Sequence, residues 1–233
     1  MSTRSKEKIL ATCIVGSAVY GLFNILAMIF YPGGTSSDKD RIGYSFFENF
    51  FSDLGMVRTY GGESNTLSLL LFASALILIG ILLVLFFAVF ASYFGGSSLE
   101  RYSSRIGSAA GLLAGLACIG IAATPWDLYL PIHMIFAYGF SIFFLLVAIF
   151  YSIAIYSNPT YPNRYAAVFG IYMLVLSIFL CLMIWGPDIN TRAGLRLLAT
   201  GQKVAIYLGM ICLFIQFFGA FFYNKKQGVV QAA

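Results

Sequence analysis

Residues 67–91 read LSLLLFASALILIGILLVLFFAVFA, twenty-five positions without a charged side chain. A helix needs about 20 predominantly apolar residues to cross the hydrocarbon core of a bilayer, whereas apolar stretches of about 10–14 suit a buried core helix. Five further stretches qualify or nearly qualify: 9–30, 106–123 (the shortest), 132–155, 165–185 and 204–223. Inside lipid the backbone has no water to bond, so such spans satisfy their own hydrogen bonds as helices. The sequence therefore predicts an all-α, polytopic membrane helix bundle. It forms a single membrane domain over residues 1–233 with about six transmembrane helices.

Composition points the same way. Of 233 residues, 60% are hydrophobic and 10% charged, against about 25% charged in a typical soluble domain. A water-soluble fold of this size would lack the polar residues to cover its surface. The net charge of +5 is spread over loops, which is no nucleic-acid footprint, since that needs a concentrated basic patch. Cys13, Cys118, Cys181 and Cys212 sit inside apolar stretches without CxxC spacing and read as packing residues. With one histidine in the chain, no metal site is expected, and no motif calls for a cofactor. The first span is too long for a cleaved signal peptide and reads as a retained span.

Counting Lys and Arg orients the chain. With the amino terminus cytoplasmic, that side holds Arg4, Lys6, Lys8, Arg101, Arg105, Arg164, Lys225 and Lys226. The other holds Lys39, Arg41, Arg58, Arg192, Arg196 and Lys203. Eight against six is a bias in the expected direction. The expectation is a multi-pass protein of the cell membrane with both termini cytoplasmic. Gly107, Gly111 and Gly115 recur every four residues in the third span, a small-residue face that lets a neighbouring helix approach closely in lipid.

The first outer loop, residues 31–65, is too long for a mere connector. Within it, residues 45–56 project on a helix with Phe46, Phe47, Phe50, Phe51 and Leu54 in an arc of roughly 140°. Ser45, Glu48, Asn49, Ser52 and Asp53 lie opposite. This predicts a short amphipathic helix lying in the interface or tucked back into the bundle; without Lys or Arg, it would not be held by anionic lipid. Glu48, Asn49 and Asp53 either cap helices and satisfy loop groups or face a ligand.

Two other outer segments complete the polar set. In residues 124–131, Pro125 and Pro131 bracket Trp126, Asp127 and Tyr129, with the aromatics suited to the interfacial belt. His133 follows near a helix amino terminus, where the dipole favours a neutral imidazole. In residues 186–203, Asp188 or Asn190 would cap an early-starting last helix. Arg192, Arg196, Thr200 and Lys203 would then share one face. That basic stripe sits on the same side of the membrane as the acidic first loop, so ion pairs between them are expected.

Certain of these residues resemble a known family. Phe51-Ser52-Asp53-Leu54-Gly55 followed by Asn65 is similar to a signature of the membrane proteins grouped as domain of unknown function 998. So are Gly120 through Pro125 followed by His133, with Thr124 in place of an aromatic, and Gly201-Gln202-Lys203-Val204-Ala205-Ile206-Tyr207, with the spacing shortened and lysine for arginine. The resemblance spans most of the chain, from the first helix to the sixth. It implies a six-helix bundle and assigns no activity. With lysine at position 203, a role needing a planar, bidentate guanidinium is not carried over.

Function is expected at the outer face, in a lipid- or partner-binding or accessory protein. Glu48, Asn49, Ser52, Asp53, Asn65, Arg192, Arg196, Gln202 and Lys203 would hold a lipid headgroup, a membrane-protein partner or a second copy of the chain. The alternative is an interfacial enzyme acting on lipid, with His133 as acid or base oriented by Asp53 or Asp127. A small transporter ranks third, because the span centres are almost free of charge and the halves show no symmetry.

Overall fold

The computed structural model describes residues 1–232. Six long helices follow in order: α1 Thr3–Ile29, α2 Thr66–Phe90, α3 Ser98–Ala123, α4 Trp126–Ser157, α5 Arg164–Trp185 and α6 Arg192–Ala232. Each is long and apolar enough to cross a membrane. Their outward faces carry Leu22, Ile25, Leu70, Ile81, Leu116, Ile135, Ile171, Leu174 and Ile211, all exposed. Such a belt is stable against acyl chains and would be an aggregation surface in water.

Each helix packs mainly on its neighbours in the chain, and α6 closes back onto α1. Six helices in a ring leave an axis that only side chains can fill. The half nearer the termini is filled by aromatics: Phe86, Phe87, Phe90, Tyr151, Phe169 and Phe217 are all fully buried. Phe86 meets Phe217 at 4.7 Å between ring centres and Phe90 meets Tyr151 at 4.6 Å. Toward the opposite face, the outer one of the expected orientation, the axial positions are small instead, with Cys118, Ala137, Ser141, Ala205 and Gly209 among them. That exchange of large for small residues leaves a space.

The glycine face of α3 does what its spacing predicts. A Cβ at Gly115 would stand 2.7 Å from the carbonyl oxygen of Gly80, and one at Gly111 would stand 2.2 Å from the Phe87 ring. Both contacts require the bare backbone, so α2 and α3 approach at the closest range side chains allow. At the terminal face, Glu100 caps α3 through a capping box with Ser97. It also accepts N–H groups from Gly95 and Gly96 and, at 2.6 Å, the Asn158 amide. Sequence reading had no signal for this network beyond the Ser97-to-Glu100 spacing.

Three expectations change. Residues 45–56 do not form a continuous amphipathic helix: turns lead into one 3-10 turn, Phe51–Gly55. Its polar residues also point inward. Ser45, Glu48, Asn49 and Asp53 are all buried, while Phe46 and Phe47 are the exposed ones. The helical projection separated the two faces, but the loop's polar groups needed protein partners more than the phenylalanines needed cover. Thr191, rather than Asp188 or Asn190, caps α6, its hydroxyl accepting from Gly194 N–H. And α4 begins six residues before the expected 132, broken at Tyr129 (φ −131°, ψ 44°). Pro131 has no N–H for the Asp127 carbonyl and its ring crowds that carbonyl, so the helix yields just before it.

Candidate functional site

The three outer segments meet, as the sequence required. Asp127, in the first turn of α4, accepts the Val57 and Arg58 N–H groups at 3.0–3.1 Å. Gln202 of α6 accepts the Phe51 N–H at 2.6 Å. Glu48, buried in the first loop, pairs with Arg192 at 2.9 Å and Arg196 at 2.7 Å. Burial opposes the Glu48 charge, but hydrogen bonds and charge from the two arginines outweigh it and hold the carboxyl below its ordinary range. The arginines themselves lie half in solvent, so Glu48 is covered by its own partners rather than deeply placed.

Several expected site residues are thereby committed to the loop itself. The Asn49 amide donates to the Gly34 carbonyl and to Asp53 Oδ2, and its oxygen accepts the Ser45 N–H. Asn65 donates to the Leu54 and Met56 carbonyls. Lys203 is buried, donates to the carbonyls of Asn49 and Ala199, and lies over the rings of Tyr44 and Phe46. It does not join the Arg192–Arg196 stripe, because its ammonium turns beneath the loop.

What remains faces the axial space. This cavity holds about 480 Å³ and is lined from all six helices and the first loop, a size within the range of ligand pockets. Its outer end carries Ser52, Asp53, Tyr60, Trp126, His133 and Gln202; below that the walls are almost wholly apolar, down to Leu83, Phe144 and Leu213. Along α6 it runs from Gln202 to Leu213, about 16 Å at the helical rise. One leaflet of hydrocarbon is about 15 Å, half of the 30 Å core. Its lining stops at Leu83, Phe144 and Leu213, and the axis beyond them is filled by the fully buried Phe86, Phe87, Tyr151 and Phe217, so the cavity is blind toward the termini. On the outer halves of α4 and α5 the lining residues Met134, Ala137, Tyr138, Phe179 and Met183 are only half-buried, and Leu130 and Ile189 at the outer end are exposed.

The polar end holds unspent hydrogen-bonding capacity. Asp53 is 1% exposed; its Oδ2 accepts the Phe50 N–H at 2.9 Å and the Asn49 amide at 3.0 Å, but Oδ1 has no partner. The Trp126 indole N–H also has none; it stands near enough to favour the Asp53 anion without closing a hydrogen bond. Burial pushes the Asp53 carboxyl up to about 7, against the hydrogen bonds from Asn49 and Phe50, the charge of Lys203 and the indole. Burial likewise keeps the Tyr60 phenol protonated.

His133 Nδ1 lies 2.7 Å from the Thr124 carbonyl. A carbonyl only accepts, so Nδ1 carries the proton and the neutral ring presents Nε2 as an acceptor. Among the described residues no carboxylate oxygen lies within 4.0 Å of a His133 ring nitrogen, so His133 and Asp53 share the cavity end without a direct pair. Trp126 was legible in sequence only as a belt aromatic and Tyr60 carried no signal; their place at this site depends on the ring closing. Compared with family models, curated proteins and solved structures, the chain matches none of them.

Proposed function

We propose that this chain is a lipid-binding membrane protein whose axial cavity receives the tail of a single-chain amphiphile. The observation that carries the reading is a blind, apolar cavity one leaflet deep, capped at its outer end by unpartnered polar groups. An amphiphile has that same division, and entry between the outer halves of α4 and α5 would keep the tail in hydrocarbon throughout. Tail burial contributes little selectivity, because the bilayer left behind is as apolar as the cavity; the polar end must supply it. The blind floor disfavours transport, and His133, without a carboxylate partner, disfavours the acid–base enzyme.

In this reading the polar end faces outward from a cell membrane and both termini are cytoplasmic, consistent with the lysine and arginine bias. The residues behind the resemblance to domain of unknown function 998 include Asp53, His133 and Gln202, which lie together at the cavity end. That convergence supports grouping the chain with those proteins.

The test uses the full chain in nanodiscs with two hexadecyl photoprobes bearing a mid-chain diazirine, one with a hydroxyl head and one with a phosphate head. Saturable labelling of Ala137, Ala205 or Leu213 by either probe is the expected result. Labelling by both that is confined to lipid-facing positions such as Ile135 and Leu174 would overturn the reading.

A further inference from the structure

We infer that the cavity selects an uncharged, hydroxyl-bearing head over phosphate, carboxylate or ammonium, which makes its ligand a long-chain alcohol of the fatty or isoprenoid kind. This rests on the tail-binding reading above and concerns the head alone. The first observation is what the lining lacks: no Lys or Arg is among the residues that form it. The nearby cations are engaged elsewhere. Arg192 and Arg196 hold Glu48, and Lys203 lies outside the lining, donating to Asn49 and Ala199 carbonyls. A phosphate placed here would be a buried anion beside a buried carboxyl with no cation to meet it, an arrangement that proteins do not sustain.

The second observation is what the lining offers. Asp53 Oδ1 and the Trp126 indole N–H are both unpartnered, and both line the cavity end with His133. A hydroxyl is the smallest head that both donates and accepts. It can donate to Asp53 or His133 Nε2 while accepting from the indole. An ether or ester oxygen only accepts. An ammonium head is a strongly hydrated point charge with three donors, and the cavity end offers it only Asp53 Oδ1 and His133 Nε2 as acceptors. Burial raises the Asp53 carboxyl to about 7, so a substantial ionised fraction remains at neutral pH to accept the hydroxyl proton that an ether lacks.

The experiment is competition in nanodiscs against whichever photoprobe labels the interior. The competitors share a hexadecyl chain at equal mole fraction and carry hydroxyl, methyl ether, phosphate, carboxylate or ammonium heads. The alcohol is expected to compete roughly tenfold better than the ether, the weight of one hydrogen bond in a dry site, and better still than each charged head. Trp126→Phe keeps the ring against Tyr60 and removes the N–H; it should lower competition by the alcohol several-fold while interior labelling by the probe persists. A charged head competing as well as the alcohol would overturn the inference. So would equal competition by alcohol and ether, or a Trp126→Phe protein that keeps the full preference. Absence of interior labelling by any probe would instead sink the tail-binding reading, so the two failures are told apart.

Discussion

Substituting Ala137 by tryptophan asks directly whether a tail occupies the axis of the bundle. Ala137 lines the cavity seven residues below Leu130, so an indole there closes it at a depth of about 10 Å at 1.5 Å per residue. A tail ending above that point is untouched. A longer one must push the indole aside or fold back, and overfilling a packed interior costs about 1–3 kcal/mol, or about 5- to 150-fold in affinity. Transfer of the tail from bilayer to cavity is close to neutral, so no gain from added methylenes masks that penalty. The assay is competition in nanodiscs by octyl and hexadecyl compounds sharing one head. Ala137→Trp should weaken the hexadecyl compound by this factor and leave the octyl compound unchanged. Ile135→Trp, on the exposed outward side of the same helix, should change neither. Equal losses for both chain lengths, or no loss for the longer one, would refute a tail in the cavity.

Three further outcomes follow from the packing and charges. Gly111→Leu drives a side chain into the Phe87 ring, and forcing α2 from α3 should cost about 1–3 kcal/mol, read as a lower Tm; an unchanged Tm would mean that the helices are not in close contact. Raising the Asp53 carboxyl from 3.8 to about 7 means that folding favours its protonated form. Its stabilising contribution is therefore complete below about pH 4 and is lost as pH rises through about 7, so Asp53→Asn should flatten a decline in thermal stability that the unmodified protein shows across that window. Asp127→Ala removes the acceptor for the Val57 and Arg58 N–H groups; amide exchange should quicken at those residues by about tenfold, as expected for losing about 1–2 kcal/mol of hydrogen bonding, and protection that persists would show another anchor.

The number of helices, their length and apolar character, and the meeting of the three polar segments were all determined by the sequence alone. Each follows from a property local to the chain: length of apolar run, scarcity of charge, and the alternation of sides that successive spans impose. The small-residue spacing of α3 likewise announced a close contact, though not that Gly115 would meet Gly80. Only the tertiary structure decided which polar residues are spent and which are free. Glu48, Asn49 and Asp53 look equivalent on a helical projection, yet Arg192 and Arg196 claim the first, the loop backbone claims the second, and half of the third is left facing inward. The cavity itself is invisible in sequence. It arises because positions far apart in the chain, such as Cys118, Ala137 and Gly209, are small at the same depth of a closed ring. Whether side chains fill an axis is settled by what stands opposite each of them, and no local pattern records that.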